Sequence, residues 1–143
     1  MYLNSEKIWF FICVLFIIII FIYMNQSYSY KDDMIDKLKI VLLDIEPRTA
    51  ELTFYASRES YTEDKKIVYL CLKNENNEYY DDNMLIYVAL HELAHAFSKE
   101  LDPDHTGDEF KNNFKKYLKI AEQKGYFDPN KPLDYSYTNV CRI

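Results

Sequence analysis

The sequence predicts an α+β fold: a short β-sheet packed on a long helix, preceded by one N-terminal transmembrane helix. Three observations carry this expectation. Residues 8–24 read IWFFICVLFIIIIFIYM, seventeen residues without a charge. Two later segments, AELTFYAS and KKIVYLCLK, are short and rich in β-branched and aromatic residues. Residues 84–110, MLIYVALHELAHAFSKELDPDHTGDEF, combine helical spacing of apolar side chains with all three histidines of the chain.

Each element follows from local chemistry. Residues 1–7 form a tail, and residues 8–24 as a helix span about 26 Å, close to the thickness of a bilayer core. Trp9 and Tyr23 lie near its two ends, where amphipathic rings favour the headgroup region. A domain of this size cannot shield a helix that is apolar all round. A cleaved signal peptide is the rival reading, with Ser27 and Ser29 as small residues near a cleavage site, but the apolar run exceeds the about 7–15 residues usual there. Lys31, Lys37 and Lys39 after the run, against Lys7 before it, favour a cytoplasmic C-terminal domain.

Residues 25–30 read as a polar linker, and residues 31–143 as the folded domain. DDMIDKLKIVLLDIEP places Ile35, Leu38, Leu42 and Ile45 at helical spacing, with Pro47 beyond the end. In AELTFYAS, Leu52 and Phe54 alternate with polar residues, the period of a half-buried strand. KKIVYLCLK is apolar on both faces and reads as a covered strand. NENNEYYDDN is a polar loop. Asp82 or Asn83 can then cap a helix running to about Glu100, with Ile86, Leu90, Leu93, Ala94, Phe97 and Leu101 on one stripe. DEFKNNFKKYLKIAEQKG forms the next helix, with Phe110, Phe114, Tyr117, Leu118 and Ala121 inward and Gly125 at its C-terminal cap. YFDPNKPLDYSYTNVCRI has no clear period and is expected to lie over the domain as an extended tail.

Composition narrows the function classes. The 143 residues carry a net charge of −6, with a sequence pI near 5.1, which argues against a nucleic-acid partner. Lys111, Lys115, Lys116 and Lys119 read as the wet face of a helix. Of the three cysteines, Cys13 sits in the apolar run and no CxxC pair exists, so a cysteine zinc site is disfavoured. Cys71 and Cys141 can pair in an oxidising compartment or stay reduced, and the sequence leaves both open, as it does the oligomeric state.

His91 and His95 are four residues apart, so they share one helical face, rotated by about 100–140° from the apolar stripe. HELAH matches H-E-x-x-H, in which imidazoles one turn apart share a Zn2+ ion and the adjacent Glu92 serves as general base towards a water that the ion acidifies. A catalytic zinc takes three protein ligands. His105 and Glu109 both follow the helix, and Pro103 forces the turn that can bring His105 back. Thr106 to Glu109 fits a T-x-x-E capping box, which occupies Glu109 and favours His105 as the third ligand.

LIYVALHELAHAF followed by DHTGDEF resembles the SprT-like and WLM-type zinc metallopeptidases, whose third histidine lies in an H-x-x-x-[EDK]-F context leading into a helix. The likeness covers roughly residues 66–132. It is most similar to a small membrane-anchored branch known from large DNA viruses, through YLCL before the motif and YFDPNKPL after it. The resemblance implies a zincin-like domain with Zn2+ on His91, His95 and His105, a catalytic Glu92, and a peptide or protein substrate. It does not extend to nucleic-acid or ubiquitin-like recognition segments, and no methionine stands where metzincins have their Met-turn. Tyr126, Tyr135 and Tyr137 are candidate oxyanion donors, and Asp108 a candidate carboxylate behind a ligand histidine. In zincin-like folds an edge strand pairs with extended peptide, a part open to KIVYLCLK or AELTFYAS. The alternative function is a zinc-stabilised, catalytically inactive binding module tethered to a membrane.

Overall fold

In a computed structural model, residues 5–26, 32–99, 105 and 107–141 are described. The first helix, α1, runs Ser5–Gln26 and exposes every large apolar side chain from Ile8 to Tyr23. Among the described residues no helix is long and apolar enough to cross a membrane. The expected linker begins inside α1, and its remainder lies outside the described residues, as do Lys31, Glu100, Leu101, Pro103 and Thr106.

The domain is α+β. Helix α2, Asp33–Ile45, starts where the Asp32 carboxylate accepts the Met34 N–H at 2.9 Å, and it buries Ile35, Leu38, Leu42 and Ile45 as its spacing requires. Pro47 opens a 3₁₀ turn, Pro47–Glu51. Three strands follow: β1 (Thr53–Ser57), β2 (Tyr61–Glu63) and β3 (Ile67–Cys71), in the order β1-β3-β2. β1 runs parallel to β3, Tyr55 opposite Tyr69, while β2 runs antiparallel to β3, Tyr61 opposite Tyr69. Phe54, Ala56, Val68 and Leu70 point inward.

The sequence reading missed β2 and overstated the burial of β3. Asp64 and Lys65 turn the β2–β3 hairpin at φ of 50° and 58°, without the glycine or asparagine that marks such turns. β3 is central, but only one sheet face is covered. Ile67 and Tyr69 are half-buried on the other face, where Tyr69 lies between Tyr55 and Tyr61 at ring distances of 5.8 and 4.5 Å.

Helix α3, Asp82–Phe97, lies at the centre, against α2, the sheet and the next helix. Its N-cap is Asp81, one residue before the expected Asp82, and its carboxylate accepts the Met84 N–H at 3.1 Å. The expected cap Asn83 is buried instead and clamps Asp128, accepting its N–H at 2.7 Å and donating to its carbonyl at 3.1 Å. The helix stops at Phe97, short of Glu100, where Ser98 caps the end and donates to the Ala94 carbonyl at 2.7 Å. Helix α4, Asp108–Gln123, buries Phe110, Tyr117 and Ala121. It closes on Gly125, at φ 74°, with Gly125 N–H donating to the Glu122 carbonyl and Tyr126 N–H to that of Ala121, a Schellman arrangement.

The C-terminal segment is not an extended tail. Its described part includes a short helix, α5 (Tyr137–Cys141), whose first and last residues are buried. A disulfide joins Cys141 to Cys71 at the end of β3. Five residues cannot sustain a helix alone. α5 is held by that bond and by the Tyr137 hydroxyl, which contacts the Cys71 carbonyl at 2.7 Å and the Ser60 hydroxyl at 2.6 Å.

The disulfide closes a loop with a sequence separation of 70, and in the chain-entropy account that constraint contributes about 4 kcal/mol. Replacing both cysteines by serine, measured by urea unfolding against the oxidised wild type, is expected to lower stability by about that much. A loss under about 1 kcal/mol would show that the bond adds little to the fold.

Candidate metal centre

The centre is assembled by one helical turn and one bend. On α3 the four-residue spacing stacks His91 and His95 on the face turned towards α4. His105 reaches them from the segment between α3 and α4, with its backbone at φ 55°. A non-glycine residue in that left-handed region is uncommon, and histidine adopts it more readily than most. Strain of this sort concentrates at functional positions.

The three Nε2 atoms converge. His91 lies 3.1 Å from His105 and 3.3 Å from His95, and His105 lies 2.9 Å from His95. Tetrahedral coordination at 2.0–2.1 Å puts ligand nitrogens about 3.3–3.4 Å apart, so the triangle is near the size a first-row divalent ion requires. The contacts do not make a satisfied hydrogen-bond ring. Each neutral imidazole has a single N–H, and three mutually close nitrogens leave lone pairs facing one another unless a cation lies among them. The residues therefore fit a metal, and among the described residues no fourth imidazole, thiol or carboxylate joins the cluster.

Protonation agrees with the ligand role. Burial, helped by the neighbouring His95 and His105, pushes the His91 imidazole down to about 3, so it is neutral at ordinary pH. Phe110 forms the aromatic floor. Its ring stacks on His95 at 4.3 Å and stands 5.0 Å from His91 and 5.1 Å from His105, which restricts all three rings. The sequence reading placed Phe110 on the inward face of α4 but had no means of assigning it this contact.

Glu92, only 2% exposed, occupies the adjoining side of α3. The Thr62 hydroxyl on β2 lies 2.8 Å from its Oε2 and 3.1 Å from its backbone carbonyl. Burial raises the carboxyl to about 7, against the lowering effect of the Thr62 hydrogen bond. Such a group exchanges protons near neutral pH.

The other candidates separate from the site. Glu109 accepts the Lys99 N–H at 2.8 Å, so it ties down the chain just after α3. The expected bond from Glu109 to Thr106 lies outside the described residues, and the α4 N-cap, Gly107, makes no side-chain cap bond. Asp108 is exposed in the first turn of α4. Tyr126 donates to Asp44 at 2.9 Å, Tyr135 is 83% exposed, and Tyr137 is buried on Ser60 and Cys71. None of the three tyrosines makes a described contact with the histidines. KIVYLCLK supplies the central strand, so it has no free edge for a peptide. AELTFYAS supplies one edge, but the edge strand that touches Glu92 is β2.

Comparison with known proteins adds relatives but no activity. The chain is 39% identical over 90 residues to an uncharacterised protein, 042R, of Invertebrate iridescent virus 3, covering 62% of this chain and 55% of that one. It is 38% identical over 91 residues to an uncharacterised protein, 136R, of Invertebrate iridescent virus 6, covering 62% and 49%. The matched stretch thus spans about half the length of these curated relatives. No family model matches the chain, and no solved structure matches it.

Alanine at His91, His95 or His105 is expected to weaken Zn2+ binding by more than about a hundredfold in calorimetric titration, while Glu109→Gln stays within about threefold of wild type. Full affinity in His105→Ala would remove that residue from the ligand set.

Proposed function

We propose that the chain is a membrane-anchored zinc metallopeptidase that hydrolyses peptide bonds with Glu92 as general base. The single observation that carries the reading is the convergence of the His91, His95 and His105 Nε2 atoms, with the buried Glu92 following His91 on the same helix. A three-imidazole donor set suits Zn2+ among the available divalent ions. A helix bearing the ligands beside a small sheet, with an antiparallel edge strand against Glu92, supports a zincin-like arrangement.

When bound, Zn2+ acidifies a coordinated water and polarises a carbonyl oxygen. The chain supplies the rest. His91, His95 and His105 hold their places through α3, the left-handed backbone at residue 105 and the Phe110 floor. Glu92 takes a proton from the attacking water and returns it to the departing amine nitrogen, a transfer favoured by a pKa close to the working pH.

Membrane attachment is proposed from α1. Its apolar side chains are exposed all round, a surface that water does not favour. The seventeen-residue apolar run reaches about 26 Å, short of a full core of about 30 Å, a mismatch that bilayers accommodate by local thinning. The Cys71–Cys141 bond belongs to an oxidising compartment and so weighs against the cytoplasmic placement that the lysine distribution favours.

One observation favours the alternative of a zinc-stabilised, inactive binding module: the Glu92 carboxylate is buried, and among the described residues it is not part of the cluster of His91, His95 and His105. Glu92→Gln separates the two readings. In the hydrolase, the variant retains stoichiometric Zn2+ but loses at least about a thousandfold in kcat on unfolded β-casein. Unchanged cleavage by a metal-loaded variant would refute the assigned role.

The pH profile is a further check. Glu92 must be ionised to accept a proton, so kcat/KM is expected to fall as pH drops through the base's pKa. That midpoint lies at about 7 from burial, and lower once a cation is adjacent. A rate that rises towards acid would exclude Glu92 as the base.

A further inference from the structure

We propose that Thr62 is the positioning residue for Glu92, and that the C-terminal helix holds the strand that carries it. The inference rests on the reading of Glu92 as general base, and it adds how that carboxylate is aimed.

β2 is three residues long and lies at the sheet edge, with β3 as its pairing partner. So short a strand does not fix a side chain by ladder bonds alone. Its two ends are nevertheless fastened. At the start, Ser60 is buried; its N–H donates to the Cys141 carbonyl at 3.2 Å, and its hydroxyl accepts the Cys71 N–H at 2.9 Å. The same hydroxyl meets the buried Tyr137 hydroxyl at 2.6 Å. Beyond the other end, Lys65 donates its ammonium to the Ser98 carbonyl at the close of α3. The strand is thus clamped to α5 on one side and to the end of the metal-bearing helix on the other.

Between the clamps, Thr62 faces Glu92. Its hydroxyl has one proton, and the shorter contact assigns that proton to the carboxylate, 2.8 Å away, rather than to the backbone carbonyl at 3.1 Å. One carboxylate oxygen is therefore occupied and the group's rotation is restricted, which leaves the other oxygen to act on a proton. Without the hydroxyl, a carboxylate this buried would swing towards whatever donor or solvent it could reach.

Two measurements on the full chain in detergent micelles test the proposal. The first is kinetic, on unfolded β-casein with Zn2+ bound. Thr62→Val is expected to lower kcat at least tenfold with KM and metal stoichiometry unchanged, and Thr62→Ser to recover kcat to within threefold. A mere loss of packing would not be rescued by serine, which lacks the methyl group. The second needs no catalysis. Thr62→Val is expected to lower Tm by about 5 °C or more in the native background and by no more than about half that in the Glu92→Leu background, where the residue-92 backbone carbonyl is left to accept the hydroxyl. Equal Tm losses in the two backgrounds, or equal kcat in the valine and serine variants, would overturn the proposal. Absence of casein cleavage by the wild type would instead count against the hydrolase reading, and the Tm comparison would still decide whether Thr62 holds Glu92.

Discussion

Lone pairs on three imidazole nitrogens repel when they face one another, yet here they are held 2.9–3.3 Å apart. Much of the domain bears on keeping them so. Two rings stand one turn apart on a buried helix, the third comes from a residue in a left-handed backbone conformation, and a phenylalanine fixes all three from one side. Such crowding is relieved by a cation among the nitrogens, and burial lowers the proton affinity of His91.

The rigidity of that arrangement comes from the position of α3. Its residues from Met84 to Ala96 are buried on nearly every side, by α2, the sheet and α4, so the helix has little freedom to rotate. A polar joint reinforces the contact. Arg48 pairs with Glu46, holding its carboxyl down at about 2, while its guanidinium covers the Phe97 ring at 4.3 Å, and Tyr117 of α4 donates to the same carboxylate at 3.2 Å. The ends of α2 and α3 and the middle of α4 meet there, so the ligand helix and the helix carrying Phe110 are registered against each other.

The sheet and the C-terminus serve the other half of the site. Ser60, Tyr137 and the Cys71–Cys141 bond form one connected buried unit at the start of β2, and that strand carries Thr62 to Glu92. Residues far apart in sequence are brought together by a covalent bond between the end of β3 and the end of α5. The histidine cluster is local in sequence, whereas the half that holds the carboxylate is assembled from distant segments.

That division explains what could be read in advance. Side chains that repeat with the period of a helix report their own burial, so α2, α3 and α4 and their inward faces were legible. Two histidines four apart must share a face, so the pairing of His91 with His95 was legible, while the choice of His105 over Glu109 as the group that joins them needed the tertiary structure. Helix ends were less so, because capping depends on which acid reaches a free N–H, and Asp81 did so ahead of Asp82 and Asn83. Strand β2 left no trace, since three residues show no period and its turn uses Asp64 and Lys65. The pairing of Cys71 with Cys141, the helical form of the tail, the engagement of Glu109 with Lys99 and the role of Thr62 are contacts across 70, 10 and 30 residues of sequence for the bonded pairs, and no local pattern encodes them. By itself the sequence determined the spacing of His91 and His95 and the faces of the helices, because those follow from the helical repeat. Only tertiary packing decided which strand meets Glu92 and what anchors it, because those depend on distant surfaces fitting one another.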